Sequence, residues 1–172
     1  MIIFKLVISA AIIAISGYIG MYKAKSLKQR EYILRDMVTF LSLCENEIKY
    51  MLNILPNAYE SARQKLSTPL KSAIGAIVVD MLSLDGNLDV DQSIVQNISM
   101  LSELTDYDKN VIISTLKNLG RSDIDGQINI IENGIKVIEN QINEAVEIKN
   151  KNSKLYKTVG VIAGIMIVII CI

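Results

Sequence analysis

Both ends of the chain are long apolar runs, and each run carries its basic flank on the side that faces the middle of the sequence. The first run covers about residues 6–22 and the second about residues 155–172. Because cationic flanks stay on the cytoplasmic side of a bilayer, the pattern predicts two membrane spans with the intervening segment in the cytoplasm. The flanking residues are Lys23, Lys25, Lys28 and Arg30 after the first run, and Lys149, Lys151, Lys154 and Lys157 before the second.

Bilayer thickness sets the expected domain boundaries. About 20 apolar residues cross a hydrocarbon core of about 30 Å, and residues 2–22 reach that length if Lys5 extends toward the headgroups. Residues 155–172 are fewer and need Tyr156 and its neighbours in the interfacial zone. We therefore predict transmembrane helices at 2–22 and 155–172, and a cytoplasmic helical-bundle domain at 23–154. The predicted location is the cell membrane. The alternative for the N-terminus is a cleaved signal peptide, which the basic block beyond it disfavours.

Composition excludes several classes of function. The 172 residues include 18 Lys plus Arg and 18 Asp plus Glu, and a net charge of zero argues against general nucleic-acid binding. Histidine is absent, which removes Ser-His and Cys-His nucleophile pairs and the commonest nitrogen ligand of zinc. The two cysteines, Cys44 and Cys171, are far apart and imply no disulfide framework. We expect no catalytic residues, no cofactor, no metal and no small-molecule substrate.

The spacing of apolar residues predicts an all-α fold. In two stretches the apolar positions alternate in steps of three and four, which is the signature of one helix face. The simplest way to bury both faces is a helical bundle in which two long antiparallel helices pack together and continue into the terminal transmembrane helices. The N-terminal stripe is Leu34, Met37, Leu41, Cys44, Ile48, Met51 and Leu55, and the C-terminal stripe is Ile124, Ile128, Ile131, Ile135, Ile138, Ile142 and Ala145.

Capping residues and prolines divide the middle of the chain into shorter helices. Pro56 marks a break or a new first turn. Thr68 is a candidate N-cap with Pro69 at the first helical position, and Thr105 with Asp108 has the spacing of a capping box. These signals place the shorter helices at about residues 56–66, 70–84, 89–104 and 105–119.

One turn has the beginning of a calcium-binding pattern. Residues 85–91 offer side-chain oxygens at alternate positions, as the first part of a calcium loop does. The pattern also requires Gly at its sixth position and Glu at its twelfth, where this chain has Val90 and Gln96. A turn followed by a helix cap is the favoured interpretation, and no calcium site is assigned.

The tract from Tyr107 to Gln127 is the most distinctive one outside the terminal runs. It predicts a helix end, a glycine stop and the N-terminus of the next helix, with Ser122 and Asp125 as a capping pair. A carboxylate near that N-terminus interacts favourably with the helix dipole, and a glutamine there can hydrogen-bond back into the turn. The tract is either a helix–helix corner or a contact for a partner, through Leu119, Gly120, Ser122, Asp123 and Gln127.

Small residues four apart occur in both apolar runs, and such spacing lets helices approach closely in lipid. The pattern is also common by chance in apolar sequence. The candidates for packing between the terminal helices are Ser16 and Gly20 in the first run, and Gly160 and Gly164 in the second.

Three motifs, found along nearly the whole chain, carry a family resemblance. They are Glu47-Ile48-Lys49-Tyr50 followed by Leu55-Pro56, then Leu119-Gly120-x-Ser122-Asp123-x-x-x-Gln127, and Lys154-Leu155-Tyr156-Lys157 leading into the second run. With these motifs the chain resembles the stage III sporulation protein AB family of endospore-forming Firmicutes. That family is similar to the helical cytoplasmic domains of type II secretion and type IV pilus inner-membrane platform proteins.

The resemblance implies a platform component of the channel between mother cell and forespore, in the outer forespore membrane. It also implies two kinds of partner, a cytoplasmic secretion-type ATPase and other channel subunits. No motif marks the ATPase contact, and residues 85–91 and 119–123 are the candidate loops. The alternatives are a membrane-tethered coiled-coil scaffold or sensor arm without a secretion role and, less favoured, a membrane-bound enzyme.

Overall fold

The computed structural model describes residues 2–83 and 89–171 and, within the terminal helices, the side chains of residues 12, 14–49, 124–156, 158–159, 162–163 and 166–169. In this part of the chain all regular structure is α-helical, as the sequence predicts, and there are six helices. They are α1 (Ile2–Lys49), α2 (Leu55–Arg63), α3 (Leu70–Leu82), α4 (Val90–Ser99), α5 (Asp106–Asn118) and α6 (Ile124–Cys171).

The helices form two compact units. Unit 1 comprises Met1–Glu31 and Glu144–Ile172, and therefore contains the first part of α1 and the last part of α6. In this unit the two helices run antiparallel, since Glu31 of α1 pairs with Lys149 of α6, while the earlier residues 12–23 of α1 border the same groove as the later residues 156–167 of α6. Ion pairs join Lys149 Nζ to Glu31 Oε2 at 2.6 Å and Arg30 Nη2 to Glu144 Oε2 at 3.5 Å.

Unit 2 comprises Tyr32–Asn143 and contains the main apolar core. The α1 stripe is buried there from Leu34 to Ile48, as predicted. Phe40 of α1 meets Tyr59 of α2 edge to face, with ring centroids 4.9 Å apart, a geometry that aromatic rings favour. Core residues also come from every shorter helix: Ala58, Ala62, Leu70, Ile74, Ile77, Val78, Ile94, Ile98, Ile112 and Leu116.

The predicted α1 stripe is wrong at its last two positions. Helix α1 ends at Lys49, so Met51 lies in a loop and is 69% exposed, while Leu55 opens α2. The backbone leaves the helical path at Leu52, which has a positive φ of 52°. Of the two interpretations of Pro56, a new first turn is confirmed, since it lies within the first two positions of α2.

The predicted caps are partly confirmed. Thr105 accepts a hydrogen bond from Asp108 N, and the Asp108 carboxylate accepts one from Thr105 N, so the capping box at α5 is present. The predicted cap at Thr68 is wrong, because α3 begins at Leu70 and Pro69 precedes it without a side-chain cap. The first turn of α3 is held by backbone carbonyls instead, including the bond from Ala73 N to Pro69 O. Helix α4 ends at Ser99 rather than near residue 104.

Helix α6 buries the later part of its predicted stripe. Ile131, Ile138 and Ile142 are buried, whereas Ile124 at the start of the helix is 43% exposed. Two members of the buried face are not apolar side chains of the predicted stripe. One is Gly134, which lies against Thr115 of α5. The other is the polar residue Gln141, which is 2% exposed.

Among the described residues, no helix has a stretch both long and apolar enough to cross a bilayer. The predicted spans at 2–22 and 155–172 include positions whose side chains lie outside the described set, Gly160 and Gly164 among them. Most of the predicted turn at 85–91 also lies outside it.

Candidate functional site

The corner, residues 119–127, connects α5 to α6. Leu119 is buried, and Gly120 follows it with a φ of +82°, a backbone conformation that costs little only for glycine. A Cβ at Gly120 would lie 3.1 Å from Leu55 Cδ2, so the corner and the start of α2 approach each other closely. The predicted glycine stop is thus also a packing contact with a second helix.

Asp123 begins α6 as its cap. Its Oδ1 accepts a hydrogen bond from Gly126 N at 3.0 Å, and its carbonyl accepts one from Gln127 N at 2.9 Å. The predicted bond from Gln127 back into the turn is confirmed, since Gln127 Nε2 donates to Ser122 O at 3.1 Å. The predicted capping role of Ser122 is wrong, because the carboxylate one residue later receives the backbone N–H. Whether these residues contact a partner stays a prediction.

A charge cluster ties the corner to α4. Asp91 Oδ2 lies 2.6 Å from Arg121 Nη2 and 3.4 Å from Lys117 Nζ. Partial desolvation alone would raise the pKa of Asp91, but the hydrogen bonds and positive charges of Arg121 and Lys117 together outweigh it and lower that pKa. The cluster fixes the corner against the first turn of α4.

Beneath this cluster is the corner groove, an open concavity of about 310 Å³. Its walls come from four helices of unit 2 and from the corner itself. Seven apolar side chains and the Asp91 cluster line it. The lining apolar residues are Leu55, Pro56, Met81, Val90, Ile94, Leu116 and Leu119.

Immediately before Leu55 in the chain is the apolar loop, residues 50–54. It presents four large apolar side chains to the surroundings in five consecutive positions, which is unusual outside binding surfaces. Asn53 is its one polar member. The exposed fractions are 70% for Tyr50, 69% for Met51, 70% for Leu52 and 66% for Ile54.

The apolar loop is held in place by Glu47, in the last turn of α1. Glu47 Oε2 accepts a hydrogen bond from Asn53 Nδ2 at 2.7 Å, and Oε1 accepts one from Ser61 Oγ at 2.5 Å. The bond from Ser61, and then that from Asn53, lower the pKa of Glu47. Lys49 Nζ lies 5.5 Å from the centroid of the Tyr50 ring. The bond from Asn53 to Glu47 therefore holds the backbone of the loop in one conformation, in which its apolar side chains are exposed and Leu52 keeps its uncommon positive φ.

The sequence interpretation missed the apolar loop because Met51 and Leu55 continue the helical spacing of α1. The available signal was the run Tyr50-Met51-Leu52-Asn53-Ile54, which places apolar residues on every face of a continued helix. A helix with apolar residues all round is buried. Because Pro56 follows directly and favours the start of a new helix, the run could also be a loop between two helices.

Unit 1 contains a second candidate surface, the unit 1 groove, with a volume of about 500 Å³. Ser16 and Gly20, two predicted packing residues, both border it on α1, and Gly20 is buried. Gly160 and Gly164 lie outside the described side chains. The groove is lined by Ile12, Ile15, Ser16, Ile19, Gly20 and Lys23 of α1, and by Tyr156, Val159, Ala163 and Ile167 of α6.

The two units differ sharply in charge. Unit 1 contains nine Lys and Arg residues and three Glu, whereas unit 2 contains nine basic and fifteen acidic residues. The zero net charge of the whole chain therefore conceals a cationic unit and an acidic one.

Within the described residues no group of His, Cys, Asp and Glu side chains is arranged to hold a metal ion. Cys44 is fully buried, and burial, followed by the charge of Glu47, raises the pKa of its thiol, so it is not an activated nucleophile. The surfaces described above are suited to contacts with a macromolecule or a lipid.

Comparison with known protein families gives one result. The model of the family described as stage III sporulation protein AB matches residues 5–172. Neither the comparison with curated proteins nor that with solved structures finds a match.

Proposed function

Because the chain belongs to the stage III sporulation protein AB family, whose role lies in stage III of spore formation, we propose that it is a non-enzymatic platform subunit of the channel between mother cell and forespore. Its terminal helices hold it in the outer forespore membrane, and unit 2 faces the mother-cell cytoplasm. There it docks a secretion-type ATPase and transmits the motion of that ATPase to the membrane subunits of the channel.

The observation that carries this proposal is the apolar loop beside the corner groove. Four large side chains, each about two-thirds exposed, belong to a loop whose Asn53 donates a hydrogen bond to Glu47, and the loop lies next in the chain to Leu55, which lines the groove. Aromatic and large apolar anchors presented in a fixed conformation are typical of interface hot spots, because little ordering entropy is lost on binding. The loop and the groove together offer an anchor and a recess to one partner.

Charge supports a protein partner over a nucleic acid. Unit 2 has an excess of six acidic residues, and a nucleic-acid surface would need the opposite sign. The fitting partner has an apolar patch surrounded by basic residues. At the corner groove itself the charges of Asp91, Arg121 and Lys117 sum to +1, so the acidic excess lies elsewhere in unit 2.

The membrane attachment is supported by the sequence pattern and by the surface of unit 1. Basic flanks on the inner side of both apolar runs favour a cytoplasmic middle segment. In unit 1 the described apolar side chains are largely exposed, and lipid would cover them. The exposed ones are Ile15, Tyr18, Ile19, Met21, Tyr22, Leu155, Tyr156, Val159, Ile162, Met166, Ile167 and Ile169.

The test compares two methionines of unit 2 with equal exposure. Met51 in the apolar loop is 69% exposed and Met100 at the end of α4 is 68% exposed. Affinity-tagged full-length chain is recovered from sporulating cells, and co-purified secretion-type ATPase is quantified. Met51→Lys is expected to reduce the recovered ATPase and the yield of heat-resistant spores at least about tenfold, a loss equivalent to about 1.4 kcal/mol of binding free energy. Met100→Lys is expected to leave both near wild type.

Equal losses in both variants, or no ATPase with the wild-type chain, would contradict the docking assignment. Self-association of the wild-type chain without any ATPase, together with normal spore formation after its deletion, would favour the membrane-tethered scaffold instead.

A further inference from the structure

We propose that the unit 1 groove binds one acyl chain of an anionic phospholipid, with the Lys23 ammonium group contacting the lipid phosphate. This inference rests on the membrane attachment in the proposed function and adds to it a specific lipid site. The feature that suggests it is a continuous apolar groove that ends at a cation.

The groove has one polar end. On α1 its residues recur at helical spacing from Ile12 to Lys23, and on α6 from Tyr156 to Ile167. Because the two helices are antiparallel here, Lys23 and Tyr156 share one end of the groove, and the opposite end is bordered by Ile12 and Ile167. An amphiphile fits this arrangement, with its chain along the isoleucines and its headgroup beside Lys23.

The charge of unit 1 selects an anionic headgroup. Its excess of six basic residues is concentrated in the turns that follow Lys23 on α1 and precede Tyr156 on α6. Two of its three glutamates, Glu31 and Glu144, already pair with Lys149 and Arg30. Each basic residue near an anionic lipid surface favours binding, and the effect is lost within a Debye length. Phosphatidylglycerol, for example, supplies the required negative charge, whereas phosphatidylcholine does not.

The size of the groove favours an acyl chain over another helix. The groove extends about 16 Å along α1, and a second helix about 10 Å wide could place only one of its faces in it, not its whole body. The groove holds about 500 Å³. A single hydrocarbon chain is the narrower object of the two, and it requires no specific side-chain pattern.

The test uses the absence of tryptophan from the chain. Tyr156→Trp places the only indole at the polar end of the groove. The full-length variant is reconstituted in phosphatidylcholine vesicles that contain a minor fraction of dibrominated lipid, either phosphatidylglycerol or phosphatidylcholine. Bromine quenches indole fluorescence on contact. Quenching is expected at an approximately fivefold lower concentration of the brominated phosphatidylglycerol, which corresponds to one lysine contact.

Two further substitutions in the Tyr156→Trp background locate the effect. Lys23→Gln is expected to remove the preference for phosphatidylglycerol, while Lys25→Gln, a lysine outside the groove lining, is expected to retain it. Ala163→Phe fills the groove with a side chain and is expected to lower quenching by both lipids.

Equal quenching by the two lipids, or equal losses in Lys23→Gln and Lys25→Gln, would overturn the proposal, because surface potential alone explains the second result. Quenching that depends on protein density rather than headgroup would assign the groove to a second copy of the chain and overturn it as well. Flotation with plain phosphatidylcholine vesicles separates these outcomes from a failure of the proposed function. A chain that does not float lacks the membrane attachment, and both proposals then fall.

Discussion

Helices α1 and α6 each contribute residues to both units, and their apolar side chains are buried in unit 2 but largely exposed in unit 1. In unit 2, Ile33 and Leu41 of α1 are at most 2% exposed, whereas Ile15 and Ile19 of the same helix are more than half exposed in unit 1. Both stretches belong to the same helix and carry large apolar side chains. The difference comes from α2 to α5, which supply the second layer of a core to unit 2 only.

The charges follow the same division. Unit 2 combines an apolar core with an acidic surface, and unit 1 combines an apolar surface with a basic flank. An apolar helix surface rimmed by lysine is typical of a segment in contact with lipid, where long basic side chains reach the headgroups. In unit 2 the chain buries its apolar helix faces with its own helices, whereas in unit 1 they are exposed, and the proposed function assigns their burial to lipid.

The largest expected effect distinguishes the two units by making the same substitution at two positions of one helix. Ile33→Ala removes a core side chain that is 2% exposed, and Ile19→Ala removes one that is 57% exposed. We expect Ile33→Ala to lower the free energy of unfolding by about 2–5 kcal/mol. Ile19→Ala is expected to change it by about 0.5 kcal/mol or less, as surface substitutions do. Chemical denaturation of the full-length chain in detergent micelles, followed by circular dichroism, measures both.

If the two variants lost equal stability, unit 1 would bury Ile19 in a core of its own. The two units would then differ in the exposed fractions of their side chains but not in how those side chains contribute to stability, and the argument for lipid contact would weaken.

The next effect tests how closely α6 is packed in each unit. A Cβ at Gly134 in unit 2 would lie 2.7 Å from Thr115 Cγ2, whereas Ala163 in unit 1 borders an open groove. Gly134→Ala is expected to destabilise the chain by about 1–3 kcal/mol through overpacking, less the gain in helix propensity. Ala163→Leu is expected to be tolerated.

Gly75→Ala is the control for helix propensity. The three atoms nearest to its Cβ would all belong to the flexible Arg63 side chain, the first at 3.3 Å, and a stabilisation of up to about 1 kcal/mol is expected. A stabilised Gly134→Ala variant would show that α5 moves away from α6 without cost, and that unit 2 is packed more loosely there.

Much of the fold follows from local sequence signals. The stripe from Leu34 to Ile48 predicts the buried face of α1 because side chains three and four apart share one side of a helix. The Thr105 and Asp108 pair predicts the start of α5, since the two groups satisfy each other's backbone donors. Gly120 predicts the stop before α6 because glycine adopts a positive φ at low cost. Each of these signals depends on neighbours within a few residues.

The misses depend on contacts that are distant in sequence. The end of α1 is stabilised by the bond between Glu47 and Ser61, fourteen residues away, and the turn before α3 by the bond from Ser67 N to Asp36 Oδ2 at 2.9 Å. The corner groove likewise joins Leu55 to Leu119 and Asp91. Periodicity gives no access to such contacts, so the corner was predicted as a turn and the apolar loop beside it was not predicted.

A smaller effect, of the opposite sign, sharpens the description of unit 2. Gln141 is buried on α6, and neither its amide oxygen nor its amide nitrogen has a hydrogen-bond partner. Since an unpaired buried polar group costs about 1–3 kcal/mol, the nearly isosteric Gln141→Met is expected to raise the unfolding free energy by about 1–2 kcal/mol. Gln127→Met, which removes the bond to Ser122 O, is expected to lower it by about 1 kcal/mol.

The same denaturation assay measures both glutamine variants. Destabilisation by Gln141→Met would reveal that its amide is satisfied in the native protein. Gln141 would then join Ser93, Asp108 and Thr115 as a buried polar side chain of unit 2 that has a hydrogen-bond partner.

The smallest expected effect uses pH to act on an acidic group of unit 2. Hydrogen bonds from Ser61 and Asn53 lower the pKa of Glu47 from its ordinary value of 4.5. The folded state therefore favours the ionised carboxylate, and the resulting stabilisation is fully present above the pKa of the unfolded chain. It is lost as the pH falls through the lowered pKa of the folded state. Wild-type chain should be slightly more stable than Glu47→Gln near neutral pH, and the difference should vanish in the acid range below 4.5.

Denaturation midpoints across this pH range measure the difference, with Glu132→Gln as a charge-matched control that removes an exposed carboxylate of α6. If the difference between wild type and Glu47→Gln persisted unchanged into acid, the ionised carboxylate would not hold the apolar loop. Since that loop carries the anchors of the proposed docking surface, its affinity for the proposed ATPase partner should decline over the same pH interval, whereas the proposed lipid contact of Lys23 in unit 1 should not. A parallel decline in both would mean that the two surfaces do not act independently, and that the division of the chain into a lipid-covered unit and a self-buried one is too simple.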